Sequence, residues 1–264
     1  MVSMANSLKI ASKGQGRPIV FIHGWGVNSG VWQLCVEYFS KKCQVITVDL
    51  PGFGVNSDTQ LQPYTIENIA ETIQQQLCQP AVIIGWSLGG LVATEIARCY
   101  KKKVSALVTI ASSPLFTETN NWPGIKANVL QLFHRQLAKD TGKTIDNFLK
   151  IQAMGSQHIR DDIKKIQQLV MAYPLPSQMT LTNSLSFLQT TDQRQQIGVI
   201  NQPFLRLYGA NDSLVPKAVI SQIDELAASS DKIIFDGASH APFISHLDLF
   251  NESLMQWLSA HSLV

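Results

Sequence analysis

The sequence is short of charge. Asp, Glu, Lys and Arg make up 15% of its 264 residues, and their formal balance is only +2. Nucleic acid is therefore not expected as a partner. The one basic run, Lys101-Lys102-Lys103, closes a helical segment, where cations suit the negative end of the helix dipole. Long apolar runs are missing too. No segment approaches the roughly 20 residues of a membrane span, and the stretch before Arg17 lacks the apolar centre of a signal peptide. The expectation is a cytoplasmic protein without a membrane partner. Cysteine is sparse: Cys35, Cys43, Cys78 and Cys99 show no C-x-x-C spacing, which argues against a zinc site or a disulfide framework. His134, His158 and His261 stand apart from other metal-ligating residue types, so neither a metal nor a cofactor is expected.

What is present is apolar residue in quantity, 45% of the chain, enough for one sizeable core. Short runs rich in Val and Ile alternate with stretches of helical period, the pattern of parallel strands joined by crossover helices. The strand candidates are Ile19–Ile22, Val45–Val48, Ala81–Ile84, Ala106–Ile110, Phe204–Tyr208 and Lys232–Phe235. Ile66, Ile69, Ile73 and Leu77 mark one apolar helix face between them, and Leu91, Val92 and Ile96 another. This spacing predicts a single α/β domain built on a mostly parallel, doubly wound sheet. The rhythm breaks after Ile110. From about 112 to 191 only helical patterns recur, so the core is expected to comprise 1–111 and 192–264, with a helical lid inserted between strands.

The strongest local signal is Gly85-Trp86-Ser87-Leu88-Gly89, a G-x-S-x-G placed directly after one strand candidate and before a helix. Such a bend exposes a nucleophilic hydroxyl and turns the following amide, that of Leu88, toward the reacting carbonyl as an oxyanion donor. An unaided serine is a poor nucleophile, so a base and a group that orients it are required. In the order Ser, acid, His, the loop after Phe204–Tyr208 offers Asp212, and the loop after Lys232–Phe235 offers His240. Asp236 and His246 are the rival acid and base. Asp236 sits too close to His240 in sequence, and His246 falls where the last helix begins. The second oxyanion donor is expected from His23-Gly24-Trp25-Gly26, through the Trp25 amide, with His23 in a structural role. Asp49, in the Pro/Gly turn that follows Val48, is expected to fix that turn.

Together with HGWG at His23, VDLPGFG at Val48, GWSLGGLVA at Gly85, ASSP at Ala111, WPGIK at Trp122, PFLRLYG at Pro203 and SHAPFISH at Ser239, the chain resembles a known family nearly end to end. That family is the pimeloyl-acyl-carrier-protein methyl ester carboxylesterases of biotin biosynthesis, within the α/β-hydrolase superfamily. The resemblance implies an α/β-hydrolase fold and hydrolysis of a methyl ester on a pimeloyl chain, with acyl carrier protein as partner. It also implies a substrate pocket from Trp25, Ser87, Leu88, His240 and the lid run Phe148, Leu149, Lys150, Ile151 and Gln152. Carrier docking would fall to Lys143, Arg160 and Lys164. At Asn147 the family pattern has a further basic residue, for which Lys150 or Lys165 could compensate. A monomer is expected. Two other readings stay open on the same residues: a general short-chain carboxylesterase, and a non-catalytic ligand-binding relative.

Overall fold

A computed structural model describes residues 8–156 and 158–264. Its strands are β1 (Ile10–Lys13), β2 (Pro18–Ile22), β3 (Gln44–Val48), β4 (Ala81–Trp86), β5 (Val104–Ile110), β6 (Phe204–Gly209) and β7 (Asp231–Phe235). They form one seven-stranded sheet in the order β1-β3-β2-β4-β5-β6-β7. All neighbours run parallel except β1, which pairs antiparallel with β3 through Ile10 opposite Val48. Strand β1 was not among the strand candidates. Its four residues are all exposed, so the edge strand carries no apolar alternation to detect.

The central strands read as continuous apolar runs because helices cover both faces of the sheet. Every residue of β2 and of β4 is buried. On the chain between strands lie α1 (Gln33–Phe39), α2 (Ile66–Gln74) and α3 (Leu88–Cys99). Ile66, Ile69, Ala70 and Ile73 form the buried stripe of α2, and the Thr65 hydroxyl caps its start by accepting from the Asn68 amide at 3.2 Å.

Between β5 and β6 the chain leaves the sheet as α4 (Ala127–Leu137), α5 (Thr141–Ala153), α6 (Ile159–Val170) and α7 (Gln178–Thr190), returning through the short α8 (Arg194–Ile197). Residues 117–125, ahead of α4, close on themselves through isolated bridges between Thr117 and Ile125 and between Thr119 and Trp122. After β6 come α9 (Ala218–Leu226), then β7, α10 (Pro242–Ser245) and α11 (Leu247–Ala260).

The insertion is fastened to the core largely through its own backbone carbonyls. Asn28 donates to the Val170 carbonyl at 2.9 Å, the Trp25 indole to Leu181 at 3.0 Å, and Asn211 to Gly155 at 3.0 Å. Gly155 has φ +95°, and a Cβ there would stand 2.4 Å from the Asn211 carbonyl oxygen, so only glycine lets the two loops meet. The strand order reverses between β2 and β4, which is where ligands enter open α/β sheets, beyond the carboxyl ends of the strands.

Candidate active site

Ser87 follows β4 directly and stands at the head of α3, with φ 54° and ψ −118°. An L-residue holds that conformation only where its surroundings enforce it. Three contacts do so. The Ser87 amide donates to the Ile110 carbonyl at 2.9 Å, the Ser87 carbonyl accepts from the Gly90 amide at 2.9 Å, and it also accepts from the Ser112 hydroxyl at 2.8 Å. A Cβ on Gly85 would lie 2.2 Å from the Gly89 carbonyl oxygen, and one on Gly90 would lie 2.3 Å from the Ser112 hydroxyl. The glycines of the motif are thus a packing requirement of the bend. Ser112 is a support that sequence reasoning missed, since a serine just after a strand carries no signal of its own.

The two late loops bring Asp212 and His240 together. His240 Nδ1 lies 2.8 Å from Asp212 Oδ2, and both side chains are buried. A carboxylate only accepts, so we place the ring proton on Nδ1, leaving Nε2 as the basic nitrogen. That nitrogen makes no hydrogen bond among the described residues. Asp212 Oδ1 accepts from the Leu214 and Val215 amides at 2.8 and 3.0 Å, so the carboxylate is held at both oxygens. The His240 ring lies 5.8 Å from that of Trp86, centroid to centroid, and the Trp86 indole donates to the His240 carbonyl at 2.8 Å. The imidazole therefore stands beside the bend that carries Ser87, on the same edge of the sheet. The rivals stand elsewhere: Asp236 is exposed, and His246 pairs through Nδ1 with the Ser245 hydroxyl at 2.8 Å.

Leu88 is the first residue of α3, and its amide is one of the donors that a helix start leaves without an intrahelical acceptor. The opposite wall is the loop after β2. Gly24 passes so close that a Cβ would stand 3.3 Å from Ser87 Cβ and 3.1 Å from the Trp86 ring. His23 sets this loop. Its Nδ1 donates to the Gly24 carbonyl at 2.7 Å, while Nε2 accepts from the Leu50 amide at 3.0 Å, which requires a neutral ring. Complete burial holds its pKa below the usual histidine value, against the opposing pull of Asp49 and the Gly24 hydrogen bond. Asp49 accepts from the Ser29 and Val55 amides at 2.5 and 2.8 Å and so fixes the neighbouring turn.

Helix α5 of the insertion packs against the loop after β2 and bonds to the His240 loop. Phe148 packs edge-on to Trp25 at 4.6 Å, and Leu149 and Gln152 are buried beside it on α5, with Ile151 partly buried. Lys150 departs from this group: it is exposed on the other face of the helix, so its side chain is not brought to the pocket. Both polar atoms of the Gln152 side chain are buried without a partner among the described residues. Ser87, Leu88, Trp25 and His240 are each no more than 1% exposed. Lys143 on α5 and Arg160 and Lys164 on α6 are exposed, as are Lys150 and Lys165. Lys143 and Asn147 border a surface groove of about 220 Å³ that also takes in Gln136, Lys139, Asp140 and Thr144. No group of three or more His, Cys, Asp or Glu side chains among the described residues is arranged to hold a metal.

Residues 17–247 match the family model described as alpha/beta hydrolase fold. The chain is 40% identical over 259 residues to the pimeloyl-[acyl-carrier protein] methyl ester esterase of Aliivibrio fischeri, covering 98% of this chain and 100% of that one. It is 42% identical to the protein of the same name from Pseudoalteromonas atlantica, over 96% and 98% of the two chains. Among solved structures it is similar to an esterase from Exiguobacterium antarcticum, with TM-score 0.86, 22% identity and coverage of 96% and 95%. It is also similar to a bromoperoxidase from Bacillus anthracis, with TM-score 0.83, 21% identity and coverage of 95% and 94%. At that identity the structural likeness speaks for the fold alone.

Proposed function

The chain belongs to the alpha/beta hydrolase family and, within it, to the pimeloyl-[acyl-carrier protein] methyl ester esterases, and on that premise we propose that Ser87, His240 and Asp212 hydrolyse the methyl ester of a pimeloyl chain carried on acyl carrier protein. The observation that carries the chemistry is the buried His240–Asp212 pair, whose open Nε2 stands beside the glycine-flanked bend of Ser87.

In this reading Ser87 Oγ attacks the ester carbonyl carbon while His240 Nε2 takes its proton. The oxyanion that forms is met by the amides of Leu88 and Trp25, and removing one such donor typically costs about 2.7–4 kcal/mol of transition-state stabilisation. As the tetrahedral intermediate collapses, His240 returns the proton to the departing methoxide, and methanol leaves an acyl-enzyme. Water, deprotonated by the same nitrogen, then releases the free carboxylate. Asp212 keeps the imidazole in the tautomer that makes this possible.

The four-helix insertion acts as a lid, with Phe148, Leu149 and Ile151 offering an apolar wall suited to a methylene chain. The unpartnered Gln152 amide is the polar group available to an ester or carboxylate in that wall. The exposed cations Lys143, Arg160 and Lys164 face outward, where an acidic carrier protein would approach.

The reading is tested by comparing kcat/KM for pimeloyl-carrier methyl ester with that for p-nitrophenyl butyrate. Preference for the carrier-bound ester is expected, and equal or better use of the small ester would point instead to a general carboxylesterase. Expression in a bacterium that lacks its own esterase of this kind should restore growth without biotin, and the Ser87→Ala variant should not.

A further inference from the structure

The histidine loop is not self-supporting. Between β7 and α10 the chain 236–241 is short of internal hydrogen bonds and leans on its neighbours. The Asn211 amide donates to the Ala238 carbonyl at 2.9 Å, and the Trp86 indole holds the His240 carbonyl. Besides these and the Asp212 carboxylate on the His240 ring, the loop has an anchor in the lid. The Gln152 carbonyl, in the last turn of α5, accepts from both the Ser239 hydroxyl at 3.0 Å and the His240 amide at 3.2 Å. Carbonyls in the last turn of a helix have no intrahelical partner, so the catalytic loop caps α5, and α5 holds the catalytic loop. Ser239 is 2% exposed, which keeps water from replacing either bond.

We propose that Ser239 is a positioning residue whose hydroxyl pins the histidine loop to the C-terminal turn of α5, so that His240 is aligned for catalysis when that lid helix is docked. The inference rests on the esterase reading of the site and adds a coupling to it. A lid helix that lifts to admit substrate loses its grip on His240, and one that settles again restores it. Hydrolysis is thereby tied to the closed state, where the ester is held away from bulk water.

The pin acts on the geometry of the base, which enters through kcat, and not on the affinity of the apolar wall, which enters through KM. Small misplacements of a catalytic group cost one to two orders of magnitude in rate, so Ser239→Ala is expected to lower kcat on p-nitrophenyl butyrate about tenfold with KM within twofold. Labelling of Ser87 by a fluorophosphonate should slow by a similar factor. Ser239→Thr, which keeps the hydroxyl, should recover most of the rate. Asn28→Ala serves as the control, because it cuts a lid tie of comparable length to the Val170 carbonyl, far in sequence from the histidine loop. It should leave kcat within twofold.

Unchanged kcat in Ser239→Ala would overturn the inference. So would equal losses in Ser239→Ala and Asn28→Ala, since that result assigns the effect to general loosening of the lid. A wild-type protein that the fluorophosphonate does not label at Ser87 refutes the esterase reading itself, and the coupling with it.

Discussion

Asp212 commits both carboxylate oxygens, one to His240 and the other to two backbone amides, and that arrangement sets the clearest expectation at the residue scale. Asp212→Asn keeps the shape but can donate to Nδ1, which favours the wrong tautomer. On the precedent of other triads kcat is expected to fall about 10⁴-fold with little change in KM. Steady-state kinetics on a small ester decide this, and a loss under tenfold would speak against the triad. His23 makes a second residue-scale prediction. Burial holds its folded pKa below the ordinary histidine value of about 6.5, so between the two the unfolded chain binds a proton that the folded one refuses. Stability from this group is intact above about pH 6.5 and declines as pH falls. Thermal melts between pH 8 and 5.5 should show a decline in Tm that is shallower in His23→Asn. An equal slope in both proteins would mean that the ring is not held neutral.

The elements that carry Ser87, Asp212 and His240 were legible because each leaves a sequence mark: an apolar run that becomes a strand, then a loop of small residues and turn formers. The nucleophile bend was plainest, since its glycines answer a steric demand that no other residue meets at Gly85 and Gly90. What stayed hidden depends on contacts between distant elements. β1 has no apolar alternation, Ser112 and Ser239 act through single hydrogen bonds, and Lys150 fell within an apolar run whose helical phase turns it outward. The seam between the lid and the core is also invisible in sequence. It predicts that Gly155→Ala, which combines a left-handed backbone with a clash against Asn211, destabilises the protein by about 1–3 kcal/mol, as read by denaturant unfolding. On α5 and α6 the exposed cations predict a different effect. Reversing Lys143, Arg160 and Lys164 together should slow turnover of the carrier-bound ester about tenfold at low salt and leave a small ester untouched. Equal losses on both substrates would remove the docking role.

At the scale of the whole molecule, one sheet gathers the chemistry along one edge. Trp25, Ser87, Asp212 and His240 follow the carboxyl ends of β2, β4, β6 and β7, on either side of the point between β2 and β4 where the strand order reverses. The helical insertion meets that edge through buried Phe148, Leu149 and Gln152 of α5, while Lys143, Arg160 and Lys164 stand exposed on α5 and α6. The most direct test measures methanol released from purified pimeloyl-carrier methyl ester by the wild-type protein and by Ser87→Ala. Steady release by the wild type is expected, with a loss of about 10⁴-fold or more in the variant. Release by Ser87→Ala within tenfold of the wild-type rate would contradict that expectation.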